Sequence, residues 1–102
     1  MQVSSRLYRD TLYLTLSGEL DEHSANYVRL NMDEQMNSMD FNQIVIDLSG
    51  LEFMDSTGIG VLLGRYKKMK QRGIPIYITN PSTHADKIFR MTALYDVMPK
   101  IN

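Results

Sequence analysis

One short segment of the sequence, Asp55-Ser56-Thr57-Gly58, combines a carboxylate, two hydroxyls and a glycine. It follows a short apolar run, Ile44 to Leu48, and precedes apolar residues at helical spacing. The pattern predicts Ser56 at or beside the N-cap of a helix, where its oxygen can accept a backbone N–H left unpaired by the first turn. Capping is the ordinary role of such a residue. A serine at a helix start can also act as a switch, if its charge changes.

A phosphoryl group, a common charged modification of serine, would add roughly −1.5 to −2 charges at such a position at neutral pH. The oriented N–H groups and the positive dipole end of a helix start favour negative charge, and neighbouring Asp55 opposes it only in part. We therefore expect the fold to survive the modification. Its effect would lie at the surface, because the added charge, bulk and hydration must be desolvated before a partner can dock.

The elements that position this segment follow from the apolar pattern. A β-hairpin is predicted with its turn at Arg9-Asp10 and its second strand ended by Gly18. Asp21 is predicted to cap a first helix. That helix would bury one stripe of residues and expose another: Ala25, Val28, Met32, Met36 and Met39 inside, with Arg29, Asn31, Asp33 and Glu34 facing water.

After the apolar strand, Ser49-Gly50 is predicted to form a turn. The second helix would end at Gly73 and bury five residues, Ile59, Leu62, Leu63, Tyr66 and Met69. Its basic cluster would lie on a solvated face near the C-terminus of the helix: Arg65, Lys67, Lys68, Lys70 and Arg72.

The last third of the chain predicts another strand and helix. Ile74, Ile76 and Ile78 alternate, and Asn80-Pro81-Ser82 makes a turn. A third helix with Asp86 in its first turn follows, burying Ala85, Ile88 and Phe89, and a short final strand is predicted over Tyr95 to Met98. A hairpin followed by alternating helices and strands needs crossover connections, which are almost always right-handed. We therefore expect a single α/β domain over residues 1–102, with a mixed sheet of four to five strands covered by helices.

Composition excludes several classes of protein. The net charge of −1 and the lack of a basic stripe argue against nucleic-acid binding. The absence of cysteine excludes a thiolate metal site, and His23 and His84 are isolated in the sequence, so no metal or cofactor is expected. No apolar run is long enough for a membrane span and no signal-peptide core is present, which favours the cytoplasm.

Enzyme sites receive little support from the residues. Gly58, Gly60 and Gly64 approach a dinucleotide fingerprint, but the third glycine is one residue late. Asp47 follows a strand, as a phosphotransfer aspartate does, yet no second carboxylate stands two residues further on. Ser56 lacks the G-x-S-x-G elbow of hydrolases. No catalytic residue is predicted, and a small hydrolase or phosphatase using Asp47 or Ser56 stays as the alternative from a different class.

Two motifs carry a resemblance to a known family. Residues 52–67 (EFMDSTGIGVLLGRYK) resemble the signature of the STAS domains, and Leu16 to Asp21 (LSGELD) is similar to the G-E-L-D turn of that family. The spacing of the motifs agrees too, so the resemblance covers nearly the whole chain. Within the family the sequence is most similar to the sporulation-type anti-sigma factor antagonists, and the general-stress branch is the alternative. STAS domains often carry a further C-terminal helix, which is expected to be shortened or absent here.

The resemblance implies a switch. In the proteins that the sequence resembles, the serine after the motif's aspartate is phosphorylated by a partner that is both an anti-sigma factor and an ATP-dependent serine kinase. That serine corresponds to Ser56 here, and a serine phosphatase is expected to reverse the modification. The unmodified form binds the anti-sigma factor and so releases the sigma factor, which it affects only indirectly.

Thr57 is expected to cap or orient the turn. Inside a helix, Gly58 and Gly60 each lower stability by roughly 0.8–1 kcal/mol relative to alanine. Their presence therefore indicates that either the sheet or a partner approaches them closely. The predicted partner-binding residues are Glu19, Asp21, Asp55, Ser56, Thr57, Gly58, Ile59 and Gly60.

Overall fold

The computed structural model describes residues 1–101 and contains the predicted alternation of strands and helices. The hairpin pairs β1 (Gln2–Tyr8) with β2 (Thr11–Leu20) around Arg9, whose φ of 55° accommodates the tight turn. The remaining elements are α1 (Ala25–Ser38), β3 (Gln43–Met54), α2 (Ser56–Gln71), β4 (Ile76–Thr79), α3 (Thr83–Met91) and a 3₁₀ turn, Leu94–Asp96.

The four strands form one mixed sheet in the order β1-β2-β3-β4. The first pair is antiparallel and the other two pairs are parallel, which confirms the predicted crossovers. Alternate residues of β2, β3 and β4 point into the core with the buried faces of the helices, among them Leu14, Ile46 and Ile78. The opposite face carries half-buried polar side chains such as Thr15 and Asp47. The parallel strands all end at one edge of the sheet, where the α2 and α3 helices begin.

Both long strands run further than the sequence predicts. β2 continues through Gly18 to Leu20, and β3 continues through Ser49-Gly50 to Met54, so the predicted strand end and turn are wrong. The parallel ladder instead absorbs these residues through register shifts between Thr15 and Ser17 and between Gly18 and Glu19. Gly18 has a φ of 103°, which favours glycine. The longer strands carry the two family motifs to the same sheet edge.

The α1 and α2 helices are joined by a charge pair that the sequence did not predict. Arg65 and Asp33 were expected to face water, but Arg65 is only 6% exposed. Its Nε lies 3.0 Å from Asp33 Oδ1, and Lys68 Nζ lies 2.8 Å from Asp33 Oδ2. Burial lowers the pKa of the guanidinium, and Asp33 opposes that shift. The buried face of α2 is shifted from the predicted stripe: Gly58, Val61 and Arg65 are buried with Leu62 and Met69. Ile59, Leu63 and Tyr66, which were predicted to be buried, are half-buried.

The predicted final strand over Tyr95 to Met98 is wrong. Ala93 adopts a left-handed conformation (φ 57°) after α3, and the chain then forms the 3₁₀ turn before a single bridge pairs Lys100 with Ile78. Asp86 holds this segment against α3. It accepts hydrogen bonds from the Tyr95 hydroxyl at 2.6 Å, from Arg90 Nε at 2.9 Å and from Lys100 Nζ at 3.3 Å.

These contacts predict a specific acid sensitivity. Hydrogen bonds from Tyr95 and then Arg90 lower the pKa of Asp86 from 3.8 to about 2. A carboxyl with a depressed folded-state pKa stabilises the fold above its unfolded pKa and loses that contribution as the pH falls through the folded value. We expect Asp86→Asn to be less stable than the parent at pH 6, with the difference shrinking between pH 4 and 2. Urea unfolding across this range measures it, and an equal difference at both ends would contradict the assignment.

Candidate functional site around Ser56

Ser56 is the first residue of α2, which confirms its predicted position beside the N-cap. Asp55 is the N-cap residue, with extended backbone (φ −111°, ψ −172°). Its Oδ1 accepts hydrogen bonds from the backbone N–H groups of Thr57 at 2.9 Å and Gly58 at 3.4 Å. The carboxylate of Asp55 therefore caps the helix, and the hydroxyls of Ser56 and Thr57 do not.

This cap leaves Ser56 available. The residue is exposed, and within residues 1–101 no hydrogen bond engages its hydroxyl. Thr57 is half-buried by comparison. Because Asp55 already occupies two N–H groups of the first turn, a phosphoryl group on Ser56 could reach those donors only by displacing Asp55. The arrangement thus exposes a hydroxyl to solvent beside a fixed negative charge.

The sheet brings the Glu19–Asp21 turn to the same edge. Glu19 pairs with Phe53 and Leu20 pairs with Met54 in the β2–β3 ladder, and the Asp55 N–H donates to the Leu20 carbonyl at 3.3 Å. The backbone of this turn is therefore adjacent to the backbone that leads into Ser56. Glu19 is exposed, so its carboxylate faces solvent at this edge.

Asp21 stabilises this turn rather than the helix it was predicted to cap. Its Oδ1 accepts from the backbone N–H groups of His23 at 3.0 Å and Ser24 at 3.1 Å, and the bond from Ser24 lowers the pKa of the Asp21 carboxyl. Ser24 occupies the N-cap position of α1 without a side-chain cap, and its Oγ donates to the Glu19 carbonyl at 2.7 Å. Ser24 was not predicted from the sequence, although Asp followed three residues later by Ser is a signal for such a closed turn.

The two helical glycines have different surroundings. A Cβ on Gly58 would lie 2.5 Å from Met54 Cγ and 3.0 Å from Leu20 Cγ, so the sheet is what approaches Gly58 closely. A Cβ on Gly60 would meet nothing within 4 Å, and Gly60 is exposed. Ile59 is half-buried and packs against the core. Of these three residues, Gly60 is therefore the one whose surface is open to a partner.

An aromatic pair at the same edge was also missed. Phe53 is 43% exposed, and its ring stacks on that of His84, with centroids 6.1 Å apart and planes at 18°. His84 belongs to the first turn of α3, which the topology places at this edge. An exposed aromatic residue inside the motif was the available signal for Phe53. Nothing in the local sequence indicated His84, because the contact depends on the tertiary fold.

The alternative enzymatic residue Asp47 lies away from Ser56. It stands seven residues before the end of β3, which corresponds to roughly 23 Å along an extended strand. It borders a hollow of about 450 Å³ on the open face of the sheet, together with Ser4, Arg6, Tyr13 and Thr15. Its Oδ1 accepts from the backbone N–H of Ser49 at 2.9 Å. The structure therefore does not join Asp47 and Ser56 in one site.

Residues 1–101 contain no group of three His, Cys, Asp or Glu side chains placed to hold a metal ion. In the same residues, no helix has both the length and the apolar character needed to cross a bilayer.

Comparison with curated proteins identifies close relatives. The chain is 40% identical over 101 residues to the anti-sigma F factor antagonist of Paenibacillus polymyxa, covering 97% of this chain and 85% of that protein. It is 30% identical over 92 residues to the anti-sigma-B factor antagonist of Listeria monocytogenes, covering 88% of this chain and 80% of the relative. Relatives of both regulatory branches are therefore similar to it, with higher identity to the first.

Solved structures and a family model give the same result. The unphosphorylated form of the anti-sigma factor antagonist SpoIIAA superimposes with a TM-score of 0.80 at 26% identity, covering 99% of this chain and 89% of that one. The phosphorylated form of SpoIIAA, a Bacillus cell fate determinant, has a TM-score of 0.74 at the same 26% identity, covering 99% and 92%. The STAS domain model matches residues 2–102. The chain therefore belongs to the STAS domain family.

Proposed function

We propose that this chain is an anti-sigma factor antagonist that is switched by phosphorylation of Ser56. In the unphosphorylated form it binds an anti-sigma factor with serine kinase activity in the cytoplasm and thereby frees a sigma factor. The kinase uses its bound ATP to transfer a phosphoryl group to Ser56, and a serine phosphatase restores the binding form. The observation that carries the proposal is the exposed, unengaged hydroxyl of Ser56 at the start of a helix capped by its neighbour.

The local contacts favour Ser56 over Thr57 as the acceptor. Ser56 is exposed and Thr57 is half-buried, so a kinase reaches the first hydroxyl without opening the turn. The Asp55 carboxylate fixes the backbone of both residues through the Thr57 and Gly58 N–H groups. A preorganised acceptor lowers the cost of ordering the segment on binding. The existence of a phosphorylated form of SpoIIAA supports phosphorylation as the switch in a protein of the same family.

The charges at this edge explain how one phosphoryl group would prevent docking. Glu19, Asp21 and Asp55 make the surface acidic already, so a partner that fits it is expected to be basic. Added negative charge would by itself attract such a partner. Loss of binding must therefore come from bulk and from the desolvation of a highly charged group that Asp55 has deprived of its nearest N–H donors.

The general-stress type of antagonist is the second candidate, supported by the 30% identity to the Listeria relative. Its chemistry at Ser56 would be the same, and only the anti-sigma partner would differ. Binding to the anti-sigma-B factor of Listeria in preference to the anti-sigma F factor of Paenibacillus polymyxa would favour this candidate.

Phosphorylation can be tested with the anti-sigma F factor of Paenibacillus polymyxa and ATP. Mass spectrometry is expected to show one added phosphoryl group on the parent chain, none on Ser56→Ala, and one on the matched control Thr57→Ala. Calorimetry with ADP present is expected to show roughly hundredfold weaker binding for Ser56→Asp, since a charged group must be desolvated at the interface.

The outcomes that count against the proposal are distinct. Stoichiometric labelling of Ser56→Ala would overturn the site. If neither that anti-sigma factor nor the Listeria anti-sigma-B factor bound the parent chain, while each bound its own antagonist, the proposed function would be overturned. Equal affinity of the bare and phosphorylated forms would overturn the switch.

A further inference from the structure

Phe53 is exposed in a way that its role in the fold does not explain. Phe53 is 43% exposed, while the next residue in β3, Met54, is only 1% exposed. Phe53 is not part of the hydrophobic core, and its ring stacks on that of His84, with centroids 6.1 Å apart and planes at 18°. An accessible aromatic face is a typical feature of interface anchors, which are enriched in aromatic residues.

The position of this ring ties it to the Ser56 site. Phe53 pairs with Glu19 across the β2–β3 ladder, and the next residue but one is the N-cap Asp55. His84 comes from the first turn of α3, so the aromatic pair extends the site from α2 toward α3. We refer to Phe53 and His84 together as the aromatic platform.

Charge defines what this platform can accept. The exposed carboxylates of Glu19 and Glu52 flank Phe53 in the ladder and in the chain, and Asp55 follows closely. Neither residues 10–28 nor residues 30–64 contain a lysine or an arginine. Within residues 1–101, none of these three carboxylates forms a salt bridge. A cation over an aromatic face gains from the ring quadrupole, and a planar guanidinium also stacks and bonds carboxylates in a fork.

We propose that the aromatic platform docks an arginine side chain of the anti-sigma partner, which stacks on Phe53 and pairs with Glu19 or Glu52. This inference rests on the proposed function and adds a contact to it. The platform is the part of the interface that phosphorylation leaves unaltered, whereas Ser56 is the part that changes. Phe53 would therefore determine which partner is bound, and Ser56 would determine when.

The test measures binding of Phe53 variants to the anti-sigma F factor of Paenibacillus polymyxa by calorimetry. Phe53→Ala is expected to weaken binding roughly tenfold or more, as for an aromatic anchor. Phe53→Leu keeps apolar area without a ring face and should lose most of that affinity, whereas Phe53→Trp should keep it. Glu52→Gln should weaken binding and reduce its dependence on salt. The matched control is Leu30→Ala, since Leu30 is 71% exposed on α1.

Thermal unfolding separates binding from folding. Because Phe53 is outside the core, its variants are expected to melt within a few degrees of the parent. Parent-like affinity of Phe53→Ala would overturn the platform while leaving the proposed function intact, provided Ser56→Asp still loses binding. Equal affinity of Phe53→Leu and the parent would overturn the stacked cation. Failure of the parent chain to bind either anti-sigma factor would instead be a failure of the proposed function.

Discussion

Asp33→Ala is expected to lower the free energy of unfolding by about 3 kcal/mol, because it leaves the buried Arg65 guanidinium without its partner. The Arg65 side chain is 7% exposed and its Nε lies 3.0 Å from Asp33 Oδ1, a contact without hydrogen-bond alignment. Its Nη1 also has no hydrogen-bond partner within residues 1–101. Loss of one member of a buried pair typically costs 3–5 kcal/mol, and the 24% exposure of Asp33 places this case at the lower end.

The matched control removes the other member of the pair. Arg65→Met deletes the buried charge, keeps most of the side-chain volume and leaves Asp33 with Lys68 at 2.8 Å. Its cost is expected to stay within about 1 kcal/mol, since an apolar replacement of a buried charge is often neutral. Urea unfolding measures both variants. Equal costs for Asp33→Ala and Arg65→Met would contradict this account of the pair.

The burial of Arg65 could not be predicted from the sequence. Its neighbours Lys67, Lys68 and Lys70 are exposed, and a cation near a helix C-terminus is normally solvated. Burial of Arg65 depends on Asp33 lying opposite it on another helix, which the spacing within α2 does not encode. The sequence pattern identifies each helix, but pairing between helices is a property of their packing.

The Ser56 end of α2 was predictable for the opposite reason. A buried strand, a short polar segment and a helical apolar stripe are local signals, and they fixed Ser56 to within one residue of its position. The Phe53–His84 contact joins residues far apart in the chain and left no local pattern. The extended strand ends were missed because a ladder with register shifts can accommodate glycines that usually mark turns.

Gly60→Trp is expected to abolish partner binding while preserving the fold, with affinity falling roughly a hundredfold or more because an indole would fill the docking surface. Gly60 is exposed one turn after Ser56, and a Cβ there meets nothing within 4 Å. Gly60→Ala should raise the free energy of unfolding by about 0.8–1 kcal/mol, the helix propensity difference. Calorimetry with the anti-sigma F factor and urea unfolding measure the two effects. Met91→Trp, at a side chain 76% exposed on α3, is the control for an added indole.

Substitution by alanine at Gly58 should change the free energy of unfolding in the opposite direction from Gly60→Ala. Its Cβ would lie 2.5 Å from Met54 Cγ, and Met54 is 1% exposed, so the core must shift. Overpacking of this kind costs about 1–3 kcal/mol, which exceeds the gain in helix propensity. Gly58→Ala is therefore expected to destabilise the chain where Gly60→Ala stabilises it. If Gly60→Trp bound the anti-sigma factor as tightly as the parent, the partner would have to approach Ser56 from the sheet edge rather than along α2.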